Sequence, residues 1–207
     1  MLVPPPKALS AYDLSGRTAL APEPPAASGR ACAVLLAEAG ATVHRDDRDA
    51  DGLDGTATLI ENHGGTARLH VVDVTDRSRL PEAARSCGRL DVPAAIAGIT
   101  HSGPVLETRD AAKAAVVQPT RTPATALGPH GVRVNAVAPG WIRTPMTARH
   151  DRAAQAHTEA VMTRMTPLGR GGEPDDVAHA VRYPASDVSG FTTGRILRPN
   201  GDAATPW

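Results

Sequence analysis

The stretch Arg17–Val43, RTALAPEPPAASGRACAVLLAEAGATV, decides how the chain is read. Thr18–Leu20 is a short apolar run, Ser28–Ala39 carries alanine and leucine at helical spacing, and Thr42–His44 begins a second strand. A strand, a helix and a strand in immediate succession form a βαβ crossover, the connection that two parallel neighbouring strands require. The loop between the first strand and the helix reads Ala21-Pro22-Glu23-Pro24-Pro25. Three of its residues have no backbone N–H and a fixed φ, so the loop has few donors to offer any group resting on the helix N-terminus.

The same alternation continues outward from this unit. Strands are expected at Thr18–Leu20, Thr42–His44, Arg68–Val72, Val92–Ala97, Val132–Val137 and Ile196–Arg198. Helices are expected at Ser28–Ala39, Leu53–His63, Arg77–Ser86, Ala111–Ala126, Ala153–Met165 and Pro174–Ser186, the last opened by Glu173-Pro174. Apolar strands alternating with helices imply a parallel sheet covered on both faces. The fold class is therefore α/β, a Rossmann-like doubly wound parallel sheet in three αβα layers. Residues 1–12 are Pro-rich and read as a flexible lead-in, and residues 13–207 as a single domain.

Bulk composition narrows the function classes. Formal net charge is zero, so nothing electrostatic favours nucleic acid or an anionic membrane. No apolar run reaches the roughly 18 residues of a membrane span, and the N-terminus lacks a basic region followed by an apolar one. Two cysteines, Cys32 and Cys87, supply neither a disulfide framework nor a metal-ligand spacing. A cytoplasmic protein without bound metal is expected. Leu, Val, Ile and Phe make up only 38 of 207 residues, so the 41% hydrophobic fraction is largely alanine and the core is thin.

Several stretches, in chain order, resemble the short-chain dehydrogenase/reductase family: DLSGRTAL (Asp13–Leu20), ASGRACAVLLAEAGATV (Ala27–Val43), VVDVTD (Val71–Asp76) and AAIAGI (Ala94–Ile99). They continue with AKAAVV (Ala112–Val117), GVRVNAVAPGWIRTPM (Gly131–Met146), PLGRGGEPDDVAHAV (Pro167–Val181) and the SGFTTG and PNGD segments between Ser189 and Asp202. The resemblance implies an NAD(P)-dependent oxidoreductase that moves hydride between nicotinamide and an alcohol or carbonyl group of a small molecule. It implies cofactor contacts at Ser28 and Gly29, the remnant of the glycine loop, and at Asp47, which would hold the adenosine ribose and favour NAD over NADP. Asp47 is also readable as one surface charge in the RDDRDAD run. Asp73 and Val74 match the pair beside the adenine, Ala97 and Gly98 the turn after the fourth strand, and Pro139, Gly140, Ile142 and Thr144 the nicotinamide segment. Lys113 matches the lysine that serves both catalysis and cofactor. The resemblance implies homo-oligomers built through the two helices around the catalytic segment, but one of these is missing here and the other is interrupted by Pro119 and Pro123, which puts that assembly in doubt.

Three departures from the family pattern bear on activity. The loop has Pro22, Glu23, Pro24 and Pro25 where the family has Thr-Gly-x-x-x-Gly-x-Gly. APEPPAASGR can be encoded so that a reading two nucleotides later spells Thr-Gly-Thr-Ala-Ser-Gly-Ile-Gly, which suggests compensating frameshifts in the gene. The chain runs from Glu107 to Lys113 without the segment that carries the family's catalytic serine, a deletion of about one βα unit. Arg109 stands four residues before Lys113, where the family has its catalytic tyrosine. Arginine keeps its proton, so it cannot replace a phenol in acid–base exchange. Ile96 replaces an asparagine, and Pro119, Pro123 and Pro184 fall where helices should run, at about 3 kcal/mol for each interior position. The reading is an oxidoreductase by descent, inactive in this chain. The alternatives are a non-catalytic nucleotide-binding or interaction protein and a decayed gene product without function. A continuous sheet in the order 3-2-1-4-5-6 is expected despite the deletion.

Overall fold

The computed structural model describes residues 10–20, 27–47, 49–73, 76, 79–94, 120–145, 147–148 and 151–202. The chain forms two compact bodies, residues 1–97 with 181–189 and residues 98–180 with 190–207.

In the first body, β1 (Thr18–Leu20), β2 (Thr42–Asp47), β3 (Thr66–Val71) and β4 (Val92–Pro93) form a parallel sheet in the order β3-β2-β1-β4. Ala19 stands opposite Val43 on one side and Val92 on the other, and Val43 opposite Ala67. α1 (Ala27–Glu38) buries Cys32, Ala33, Leu36 and Ala37, a spacing that keeps them on one face. The helix stops at Gly40 (φ 99°), with Ala41 N–H on the Leu36 carbonyl and Gly40 N–H on that of Ala37. This pair of bonds satisfies the last carbonyls and needs a left-handed residue. α2 (Ala50–Asn62) starts on Asp49, whose side chain accepts from Gly52 N–H. α3 (Leu80–Ser86) is shorter.

Side chains alternate across β2, and this places the layers. Arg45 points to α1, with Nη1 3.4 Å from the Gly29 carbonyl. Asp46 points the other way, where its charge acts on Cys87 at the end of α3. α1 and α2, which pack on each other, thus cover one face and α3 the opposite one. The core between them is built from Leu14, Ala19, Ala33, Leu36, Val43 and Ile60, as small in side-chain volume as the composition implies.

The second body holds α4 (120–127), β5 (Ala136–Val137), α5 (Arg152–Met165), most of α6 (Pro174–Ala185) and β6 (Ile196–Leu197). β5 pairs in parallel with β6, and Ile142 bridges to Gly172. Here the expected topology needs correction. The order 3-2-1-4 is as read from the sequence, but among the described residues β5 and β6 form a separate two-stranded sheet instead of continuing it. The expected strand Val132–Val137 contracts to its last two residues because its first N–H groups are spent elsewhere. Val132 N–H bonds the Leu127 carbonyl and Val134 N–H the Thr193 hydroxyl.

β2 departs in the opposite sense. It was expected to end at His44, yet it runs in register with β3 as far as Asp47 opposite Val71, because ladder bonds are made by the backbone whatever the side chains carry. Pro184 is tolerated as the penultimate residue of α6, where it removes a bond only from the final turn. Pro123 lies within α4.

Candidate functional site

In an open parallel sheet ligands sit beyond the C-terminal ends of the strands, and the first body gathers several of the sequence-derived residues at that edge. Asp47 ends β2 and is 6% exposed. One of its carboxylate oxygens accepts the Asp49 N–H at 2.8 Å, and its carbonyl accepts the Val72 N–H. It is therefore a fixed acceptor at a strand end and not a freely rotating surface charge. Asp73 follows β3, half-buried, with its carbonyl taken by Asp76 N–H. Ser28 and Gly29 occupy the first turn of α1, Gly29 buried. The Gly29 carbonyl lies against Arg45, whose side chain is fully buried beneath that turn. Val74, Ala97, Gly98 and Lys113 lie outside the described residues, as do the loop at 21–26 and Arg109.

The second body holds the other group. Gly140 N–H bonds the Pro199 carbonyl at 3.2 Å, and a Cβ at Gly140 would stand 2.8 Å from Asn200 Cα. The Pro139-Gly140 turn thus has a packing reason of its own, the close passage of the 199–200 backbone. Ile142 is buried beside Gly172, so its side chain supports the turn from within. Thr144 N–H is taken by the Thr147 hydroxyl, which itself donates to the Ile142 carbonyl at 2.7 Å. That bonding fixes the half-buried Thr144.

Next to this turn, Arg170 grips Asp176 with two parallel bonds, Nη1 to Oδ2 at 2.7 Å and Nη2 to Oδ1 at 2.9 Å. Glu173 N–H adds a third at 2.8 Å. The Arg170 bonds, helped by the Glu173 N–H, bring the Asp176 pKa down to about 2. Trp141, Thr166, Leu168 and Asn200 line a shallow cavity of about 110 Å³ beside this pair. Of the remaining hydroxyl-bearing rings, Tyr12 lies under the Arg182 guanidinium and Tyr183 is half-buried. His157 is exposed.

The sequence reading missed the polar interior of β2. His44 is 7%, Arg45 0% and Asp46 1% exposed. Burial raises the Asp46 pKa, and His44 is hydrogen-bonded to His70 of β3. The available signal was position: three residues just before the acidic strand end must lie in the sheet if Asp47 ends the strand.

A dinucleotide fits part of this arrangement. Asp47 suits a ribose diol, whereas Pro22, Pro24 and Pro25 cannot donate to a pyrophosphate. Among the described residues no group of His, Cys, Asp and Glu suits a metal ion, and no helix is long and apolar enough to cross a membrane.

Comparison with known proteins agrees with this geometry. A family profile described as Enoyl-(Acyl carrier protein) reductase matches residues 108–201. A cis-4-hydroxycyclohexanecarboxylate dehydrogenase from Sinomonas cyclohexanicum is 31% identical over 230 aligned residues, covering 84% of this chain and 90% of its own. That alignment is longer than this 207-residue chain, so the relative carries residues with no counterpart here. A short-chain type dehydrogenase/reductase from Mycobacterium marinum superposes with a TM-score of 0.79 at 27% identity, covering 96% of this chain and 99% of that one. A 3-oxoacyl (acyl-carrier-protein) reductase from Agrobacterium tumefaciens with NADP bound shares the fold with a TM-score of 0.82 at 22% identity, covering 93% and 96%.

Proposed function

The chain belongs to the short-chain dehydrogenase/reductase family, and from that premise we propose that it retains a partial NAD site on an oxidoreductase scaffold without carrying out turnover. The observation behind the binding half is Asp47, held at the end of β2 by the Asp49 N–H. A carboxylate so placed accepts from two ribose hydroxyls and repels a 2′-phosphate, which favours NAD over NADP. Asp73 borders the same strand-end edge, and the family pattern assigns Pro139–Thr144 to the nicotinamide end. When bound, the dinucleotide would supply hydride chemistry for a small alcohol or ketone. This chain's own contribution to that chemistry is where it falls short. Arg109 stands four residues before Lys113 in the sequence, where the family has a phenol, so no proton can pass to or from the substrate oxygen at that position.

Affinity is expected to be low. Glu23 brings a negative charge to the phosphate loop, and unit charges about 4 Å apart at an effective dielectric of 20 repel by roughly 4 kcal/mol. Titration of the purified chain with NAD and with NADP, followed by calorimetry, tests the reading. The expected result is weak saturable binding of NAD, weaker binding of NADP, and loss of the difference in Asp47→Ala. Equal binding of both dinucleotides, or binding of neither, overturns it, and the second outcome favours a decayed gene product.

A further inference from the structure

The seam between β3 and α3 holds a polar cluster that the dinucleotide reading does not use. Asp46 and His70 are register partners, as are His44 and Arg68, so the four share one face of the sheet. His44 Nδ1 lies 2.8 Å from His70 Nε2, the two rings within 12° of parallel. The Ser86 hydroxyl of α3 stands 3.4 Å from the same His70 nitrogen. Among the described residues neither Asp46 carboxylate oxygen has a hydrogen-bond partner. Arg79, just before α3, and Glu82 of α3 join His70 in lining an open cavity of about 280 Å³. Cys87, at the end of α3, has its thiol pKa raised by burial and by Asp46. On the β1 side the neighbour of His44 is Leu20, and Arg45 lies on the other face of β2.

We propose that the His44–His70 pair, set beside Asp46, is a latch that holds the edge strand β3, and with it the α3 contact at Ser86, against β2 at neutral pH and releases it in acid. A bond between two ring nitrogens needs one to donate and the other to accept, so it survives only while at least one ring is neutral. A second proton sets two N–H groups face to face, with the Arg68 charge in the same cross-strand row. The cavity bordering His70 gives water a route for that proton. β3 is the edge strand of its four-stranded sheet, the element able to part without unfolding the rest.

Burial, then the His70 and Arg68 charges, hold the His44 pKa below its ordinary 6.5. The folded state therefore takes up this proton less readily than the unfolded chain. The contribution of neutral His44 is complete above about pH 6.5 and is lost as pH falls below it. Asp46 acts in the opposite direction: its raised pKa means that its cost falls on the ionised form and is relieved by acid. The histidine latch must therefore be tested by changing a histidine.

Amide hydrogen exchange of the full chain, corrected for intrinsic rates, tests this between about pH 7.5 and about pH 5.5, the range in which histidine titrates. Protection of Thr66–Val71 and Leu80–Ser86 should be lost in acid relative to that of α1, which should stay constant. In His70→Gln, whose amide can bond His44 in either protonation state, the loss of protection in acid should be smaller than in the wild type, the part due to burial of His44 remaining. Unchanged protection in the wild type, or the same loss in His70→Gln, overturns the latch. Should His70→Gln fail to fold, NMR titration of the wild-type imidazoles decides. A His44 titration displaced below its ordinary range is expected, and an ordinary His44 titration contradicts it.

Discussion

The two bodies of this protein handle buried and half-buried charge in opposite ways. In the second body, Asp176 has a guanidinium fork and a backbone N–H to itself, and its pKa falls to about 2. In the first, Asp46 is 1% exposed with no hydrogen-bond partner among the described residues, and its pKa rises. The same side chain is thus stabilising in one setting and costly in the other. What differs is whether the fold brings donors to it, because a carboxylate leaving water loses more than an imperfect set of contacts returns. An inner parallel strand is ordinarily apolar throughout, and His44-Arg45-Asp46 breaks that run.

The contrast predicts substitutions of opposite sign. Asp46→Val should raise stability by about 1–3 kcal/mol, the usual scale of a buried unsatisfied polar group, measured by urea unfolding at neutral pH. A loss of stability would show that Asp46 has a partner that compensates its burial. Asp176→Ala should lower stability by about 1 kcal/mol, the upper end for a partly exposed ion pair held by two bonds. Its sign with pH follows from a depressed pKa. The contribution is fully present above the ordinary carboxylate value of 3.8, declines as pH falls towards about 2, and is gone below it. An Asp176→Ala variant whose deficit is the same at pH 3.8 and near pH 2 would assign the loss to packing instead.

The fold was legible in the sequence where local pattern and tertiary role coincide. Thr18–Leu20 is apolar because it lies inside the sheet. α1 could be placed from its apolar face, and Glu173-Pro174 marked the start of α6. Legibility ended where the backbone decided and side chains dissented. β2 continues through three buried polar residues because its ladder with β3 does, and β5 begins late because Val132 and Val134 give their N–H groups to a turn and a threonine. In the candidate site, Asp47 and the Pro139–Thr144 turn were readable as a spacing and a motif. The packing role of Gly140 against Asn200 was not, since it depends on two segments far apart in the chain.

The central claim is that this chain keeps the frame of a short-chain dehydrogenase/reductase but not its proton relay. Steady-state oxidation of a panel of secondary alcohols with NAD, followed by nicotinamide absorbance, tests it most directly. The account predicts no turnover above the buffer rate, and no change on Lys113→Ala. Turnover that is saturable in alcohol and abolished by Lys113→Ala would contradict it.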